Sequence, residues 1–386
     1  MIRVAHVCPS ISRTGGGVSE SVRLLSKAVG AKDGIEARTF SLHDEHSAAD
    51  VASWDGAPPS LFSPWPPRRF SYSHSLYRAL AEYDPDVIHV HGIWMGHCLA
   101  VHLWASRAHK PYIISPHGML QPWIRKRSKF LKSMVSLAFH DNFLRNATKF
   151  HVLTEVERQD VAEYATRDRV SVIPNYVDPF LSDCQRPTWW RSEYGNRVLF
   201  LYLGRIHEKK GCLELCEAWD KLSSSSELFR TQGQLIIAGW SDGLSGFDKA
   251  IERLRVKYSN AEFVGPQYGE EKTRTLSAAS FFILPSKSEG LPMSVIESWS
   301  AGVPALLTPE CNLPVGYSSG AAFRLSSDTY GIAKGIERAF NLSSQERSIA
   351  SAASLEIAKA KFAIENVRVD LADLYHSAVS SVRVGD

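Results

Sequence analysis

The feature that most constrains this chain is a rhythm that runs, stops and starts again. Short apolar runs alternate with segments of helical period, first over residues 2–173 and again from residue 198. Runs at 2–8, 87–90, 112–115, 150–153 and 170–173 read as strands. Gly15, Gly16 and Gly17 turn the chain after the first, and Val18, Val22, Leu25 and Val29 follow at helical spacing. The segment 177–194, with Pro179, Pro187 and mixed acidic and aromatic residues, breaks the pattern and reads as a linker. Beyond it, 198–203, 234–238, 262–264, 281–284 and 305–307 read as strands with a helix in each interval, 213–222 being the first. Strand-then-helix alternation builds a parallel sheet covered on both faces. The fold class expected is therefore α/β, as two Rossmann-like doubly wound domains, 1–180 and 190–362, facing a central cleft. Ligands of such sheets bind outside the carboxyl ends of the strands, so both halves can face one substrate pair.

Composition excludes several other classes. With 44% apolar and 22% charged residues the chain is neither fibrous nor largely disordered. Its 44 basic and 41 acidic residues leave a net charge of +3, too even for a dedicated nucleic-acid binder. No run approaches the roughly 20 apolar residues that span a bilayer. The first nine residues read as a strand rather than a signal peptide, and a cytoplasmic protein is expected. Six cysteines are scattered; Cys212 and Cys216 lie one helical turn apart, but no second pair follows at zinc spacing, so buried thiols are expected. Twelve of 14 histidines precede the linker, leaving His207 and His376 after it. The imbalance points to acceptor and acid–base work in the first half and nucleotide binding in the second.

Two segments carry recognisable chemistry. Residues 204–211, Gly-Arg-Ile-His-Glu-Lys-Lys-Gly, follow a strand and open a helix. Glycines let a backbone approach a ligand, and a helix N-terminus offers unpaired N–H groups to an anion. Arg205 can grip phosphate oxygens in parallel, with Lys210 adding a point charge. The Gly-Lys-Ser/Thr ending of a Walker loop is missing, and a solvated basic turn is the competing reading. Residues 288–297, Ser-Glu-Gly-Leu-Pro-Met-Ser-Val-Ile-Glu, also follow a strand. Pro292 suits a first helical turn. Glu289 and Glu297 repel phosphate and suit sugar and ribose hydroxyls; a helix-start glutamate and a surface glutamate are the plain alternative.

These segments, in this order and spacing, resemble glycosyltransferase family 4, the retaining enzymes of the GT-B fold, over nearly the whole chain. Further matching pieces are Gly15 to Val18, Asp86-Val87-Ile88-His89-Val90-His91-Gly92, Ser115-Pro116-His117-Gly118-Met119-Leu120 and 172–178. The Pro-His-Gly-Met-Leu piece is similar to the subset that builds bacterial surface polysaccharides. The resemblance implies that Arg205 and Lys210 hold the donor diphosphate and that Glu297 binds the nucleotide ribose. Glu289 would bind the transferred sugar, beside backbone N–H groups of Gly290, Leu291, Pro292's neighbours and Met293. His117 would sit by the sugar and departing phosphate, and the loop of Gly16 and Gly17 would approach donor phosphates or acceptor. Residues 363–386 would cross back to the first domain. The sequence departs from the family after Pro304, where Cys311-Asn312-Leu313-Pro314-Val315-Gly316 replaces a small-residue acidic loop.

The implied partners are a nucleotide sugar of the UDP or GDP type and a glycan or lipid-linked glycan acceptor, with no cofactor and no metal. A nucleotide-sugar epimerase on the same scaffold and a non-catalytic nucleotide-sugar-binding protein are the competing functions. Asp84 and Asp86 resemble a D-x-D metal site, but precede a strand, and the cation pair already answers the leaving phosphate. His89 and His91 share one strand face, where packing competes with metal ligation. The basic-then-apolar stretch 125–139 is either a solvated helix face or a surface for anionic lipid, which would place the protein peripherally at the inner face of the membrane.

Overall fold

The computed structural model describes residues 1–30, 33–54, 57–67, 70–121, 139–178 and 185–383. The chain divides into two compact units, Met1–Tyr176 with Ile364–Asp386, and Val177–Ala363. Among the described residues, no helix is long and apolar enough to cross a membrane.

The first unit is a seven-stranded sheet of β1 (Ile2–Cys8), β2 (Ile35–Leu42), β3 (Ser60–Phe62), β4 (Val87–His91), β5 (Tyr112–Ser115), β6 (Lys149–Val152) and β7 (Val170–Val172). Every pairing is parallel, in the order β3-β2-β1-β4-β5-β6-β7. A strand covered on both faces has no polar side to spare, and β4 is buried throughout. Strand order reverses between β1 and β4, which opens a crevice at their carboxyl ends. Register sets His6 opposite His89, and His91 opposite Ser115. The helix Ile364–Arg383 belongs to this unit, burying Val367, Leu371, Leu374, Tyr375 and Ala378 at helical spacing. Arg368 ties it to Asp33 at 3.0 Å.

The second unit is a six-stranded parallel sheet of β8 (Val198–Leu203), β9 (Gly233–Ala238), β10 (Ala261–Gly265), β11 (Phe281–Leu284), β12 (Ala305–Leu307) and β13 (Ala322–Arg324). Its order, β10-β9-β8-β11-β12-β13, places the reversal between β8 and β11. The helix Cys212–Ser225 buries Leu215, Cys216, Ala218, Trp219 and Leu222 along one stripe. Trp219 and Trp299 are fully buried. Each indole N–H finds an acceptor, on Asn260 and on the Ala321 carbonyl, both at 3.1 Å. A buried indole that kept no partner would forfeit part of what its apolar surface contributes.

The sheets contain three strands that the apolar runs do not reveal. β2 interleaves Glu36, Arg38, Thr39 and Ser41 with its apolar residues; β3 and β13 are three-residue edge strands, too short to carry a period. His376 lies on the helix Ile364–Arg383 and so in the first unit, which corrects its assignment to the second half and leaves His207 there alone.

Candidate active site

In the second unit, the loops after β8 and β11 meet where the strand order reverses. Gly211 adopts φ +73, and a Cβ there would lie 2.3 Å from the Pro285 carbonyl oxygen. Lys287 N–H donates to the Lys209 carbonyl at 2.7 Å. These glycine and backbone contacts hold one loop against the other. Gly239 does the same for Gly204, since its Cβ would meet the Gly204 carbonyl oxygen at 1.8 Å.

The stitched loops bring Lys210 Nζ to Glu289 Oε1 at 2.5 Å, with the two side chains 16% and 9% exposed. Ser286 also donates its hydroxyl to that oxygen. The Glu289 backbone is fixed on both sides: its N–H donates to the Glu310 carbonyl at 3.0 Å, and Asn312 Nδ2 donates to its carbonyl at 2.6 Å. Asn312 sits at φ +57, a conformation asparagine tolerates better than most residues. Thr308 donates to the Ser286 carbonyl at 2.5 Å. The loop after β12 that departs from the family pattern is thus the frame that aims Glu289.

Beyond Glu289, a Cβ on Gly290 would meet nothing within 4 Å. Leu291 and Pro292 lead into the helix Met293–Ser300, which turns Val295, Ile296 and Trp299 into the core. Its N-terminus presents N–H groups and the positive end of the helix dipole. Glu297, farther along, pairs with Lys272 at 2.7 Å, and Arg205 pairs with Asp242 at 3.3 Å. The structure brings Lys210 and Glu289 into contact and holds Arg205 and Glu297 in separate ion pairs. This edge of the sheet offers cations and N–H groups for an anion, and carboxylates for hydroxyls.

In the first unit, Gly16 has φ +55 and ψ −129 and caps the helix Gly17–Ala28. Side chains at Gly16 and Gly17 would point into open space. Close by, Asp44 accepts from the Ser10 and Ser12 hydroxyls at 2.6 and 2.9 Å. Burial alone would raise this carboxyl; those hydroxyls outweigh it and hold the group below its ordinary range. Arg13 pairs with Asp50 at 2.5 Å.

His117 and Gly118 follow β5 with consecutive left-handed backbones, φ +52 and +76. Such a backbone costs a non-glycine residue energy and persists only where its surroundings enforce it. The buried Glu157 carboxylate does so, accepting from Gly118 N–H at 2.5 Å and Leu153 N–H at 2.8 Å. Burial pushes Glu157 up to about 7 against the pull of those bonds.

His117 ends a buried polar chain. Its Nε2 lies 3.1 Å from His91 Nδ1, and His91 Nε2 lies 2.9 Å from His6 Nδ1. His6 Nε2 lies 3.5 Å from the Tyr375 hydroxyl, itself 2.9 Å from His89 Nδ1. His89 Nε2 and His151 Nδ1 both lie 2.8 Å from Ser115 Oγ, and 3.3 Å from each other. His151 Nε2 donates to the Ile173 carbonyl at 2.8 Å. Burial pulls His6 and His117 down to about 3, His151 to about 4, and His89 and His91 well below the ordinary imidazole value, so all five are neutral near pH 7.

Other candidates resolve differently. Asp84 and Asp86 lie at the amino end of β4, away from the ligand edge. Arg3 N–H donates to Asp86 at 2.8 Å, and Lys110 pairs with Asp84 at 2.5 Å and lowers its carboxyl. They act as a clamp on β1. Cys8, Cys98, Cys212, Cys216 and Cys311 are free buried thiols, with burial raising Cys216 to about 12. The basic stretch 125–139 lies outside the described residues except for the buried Phe139. Ser286, Asn312, Asp44, Glu157, His6, His151 and Tyr375 escaped the sequence reading. An asparagine after a Pro-x-Cys turn was the one local signal available, because the others depend on sheet order.

Comparison with known proteins places these features in a family. Residues 15–180 match the model described as Glycosyltransferase Family 4, and 197–341 match that of Glycosyl transferases group 1. An uncharacterized glycosyltransferase of Methanocaldococcus jannaschii is 20% identical over 63% of this chain and 60% of its own length. The putative glycosyltransferase EpsF of Bacillus subtilis is 27% identical over 42% of this chain and 41% of its own. The chain thus spans less than two thirds of the length of these curated relatives. HepE of Anabaena, solved with UDP and glucose, superposes with a TM-score of 0.74 over 98% of this chain and all of that one, at 14% identity. Sucrose-phosphate synthase of Thermosynechococcus elongatus gives 0.73 over 98% and 100%, at 18% identity. At such identities the likeness is one of fold.

Proposed function

The chain belongs to the family 4 glycosyltransferases and has their GT-B fold, and from that premise we propose that it moves a hexose from a nucleotide-diphosphate sugar to a glycan or lipid-linked glycan, with retention of anomeric configuration. The observation that carries this reading is the pair Lys210 and Glu289, a cation and a carboxylate joined where the strand order of the second sheet reverses. A diphosphate and a sugar are adjacent groups of opposite demand, one needing positive charge and the other acceptors for its hydroxyls.

In this proposal Lys210, Arg205 and the N–H groups at the start of the helix Met293–Ser300 hold the diphosphate. Glu297 takes the ribose hydroxyls and Glu289 those of the transferred sugar. The acceptor oxygen attacks the anomeric carbon on the face the phosphate leaves; the carbon–oxygen bond to phosphate breaks, and the acceptor's hydroxyl proton passes to the departing phosphate oxygen. No protein base is required on the opposite face, whereas an inverting reaction needs one. His117 orients the sugar and stabilises the positive charge that develops on it. The loop of Gly16 and Gly17 takes acceptor or donor phosphate. The pathway proposed is polysaccharide synthesis in the cytoplasm, with stretch 125–139 touching anionic lipid at the inner face of the membrane.

A panel of UDP and GDP sugars tests the reading, with UDP-glucose first because HepE was solved with it. Free nucleotide should accumulate only with a glycan acceptor, and proton NMR of the first product should show an α-linkage from an α-linked donor. A β-linkage would refute retention. A changed sugar on the intact nucleotide would indicate an epimerase, and tight binding without turnover a binding protein. Activity should also survive EDTA, since Lys210 and Arg205 supply the charge that a metal would bring. Loss in EDTA, restored by magnesium or manganese, would reassign the leaving-group chemistry.

A further inference from the structure

The chain of hydrogen bonds through the first unit has a direction, and one residue transmits it. His151 Nε2 faces the Ile173 carbonyl, an acceptor only, so that nitrogen carries the proton and His151 Nδ1 needs a donor. If Ser115 gives its hydroxyl proton to His151 Nδ1, Ser115 Oγ must accept from His89 Nε2–H. His89 Nδ1 is then bare and takes the Tyr375 hydroxyl proton. Tyr375 Oη in turn accepts from His6 Nε2–H; His6 Nδ1 accepts from His91 Nε2–H, and His91 Nδ1 from His117 Nε2–H. Reversing the chain would turn the Ser115 proton toward His89 and strand the buried His151 Nδ1 without a donor. An unsatisfied buried polar atom costs about 1–3 kcal/mol, so the forward direction prevails.

We propose that Tyr375 is a positioning residue which locks His117 as the Nε2–H tautomer and leaves His117 Nδ1 as a hydrogen-bond acceptor. The upper segment, His6 to His117, is connected to the Ile173 anchor through the Tyr375 hydroxyl. With that hydroxyl's proton on His89, a bare His6 Nε2 would face an oxygen lone pair, which excludes the reversed upper segment. Among the described residues the hydrogen bond found at the His117 ring is the one at Nε2, to His91. A bare nitrogen there can accept from a substrate hydroxyl, and this last step rests on the glycosyltransferase reading. The nitrogens of His6, His89 and His91 gather within 4.8 Å, as metal ligands do. Yet His6 Nδ1 and His91 Nε2 point at each other across 2.9 Å, and a proton fills that line.

Long-range proton–nitrogen NMR of the histidine-labelled full chain tests this directly. The native protein should show Nε2–H at His6, His89, His91, His117 and His151. Tyr375→Phe keeps the ring and removes the coupling, so Nδ1–H signals should appear at His6, His91 and His117 while His89 and His151 hold. Ser115→Ala should leave all five unchanged, because His89 Nε2–H lies near enough to bond His151 directly. Unchanged tautomers in Tyr375→Phe, altered ones in Ser115→Ala, or a metal-bound nitrogen in native protein would each overturn the assignment. In turnover assays Tyr375→Phe should lower kcat about tenfold with the donor KM unchanged, the size of one lost hydrogen bond. Tautomers that switch with kcat unaltered would leave the locking intact and refute the role given to His117.

Discussion

Acidification from pH 7.5 to 4.5 costs the first unit far more stability than the second. In the first unit His6, His89, His91, His97, His140 and His151 are buried and His117 is partly buried, and desolvation suppresses the basicity of all seven. In the unfolded chain each titrates near 6.5. Their folded values are depressed, so the unfolded state binds more protons between these values, and stability is present above pH 6.5 and lost as pH falls. Each costs on the order of 1 kcal/mol over two units of pH that span the unfolded value. Glu157 runs the other way: raised to about 7, it binds a proton in the folded state first and returns about 2 kcal/mol. The net loss is several kcal/mol, a large fraction of a typical domain stability of about 5–15 kcal/mol. The second unit holds one histidine, His207. Pulse hydrogen exchange, read peptide by peptide across pH 7.5 to 4.5, should show β1, β4 and β5 losing protection with a midpoint between about pH 5 and 6. Protection of those strands persisting at pH 4.5 would mean that the imidazoles are not buried neutral.

Lys210→Ala lowers kcat/KM for the donor by about 100-fold, since a hydrogen bond to a charged group contributes about 1.5–3 kcal/mol and this lysine faces a diphosphate in the proposed reaction. It also lowers stability, because Glu289 is left nearly buried and loses its cation. Breaking such a pair costs about 3–5 kcal/mol when one partner is removed. The two effects separate in a double-mutant cycle. Glu289→Ala alone should also be impaired and destabilised, whereas the double variant should be more stable than the two single losses predict and no more active than either. Urea unfolding measures the first and nucleotide release the second. Activity restored together with stability in the double variant would show that the pair only supports the fold.

Much of the architecture was legible because parallel strands buried on both faces write long apolar runs. β8 and β11 could be read at their true limits for that reason, while β3 and β13, three residues each at sheet edges, could not. Lys210 and Glu289 were each visible as charged residues after a strand. Their contact was not, because it follows from β8 lying beside β11 and skipping two intervening strands. The close approach of Gly211 to the Pro285 carbonyl was not visible either, because it depends on the same strand order. Asn312 looked like a departure from the family loop and proves to hold the Glu289 carbonyl. His89 and His91 announced one strand face, but Tyr375 stands 286 residues from His89, beyond the reach of any local pattern.

The placement of the helix Ile364–Arg383 has a consequence for how the protein is made. A ribosome delivers β1 to β7 first, yet their sheet lacks Leu371, Leu374, Tyr375 and Ala378 until the whole of Val177–Ala363 has followed. The second unit is continuous, whereas the first is completed over its imidazole face only by Tyr375 and its helix. The two units therefore differ in when the last of their packing partners becomes available.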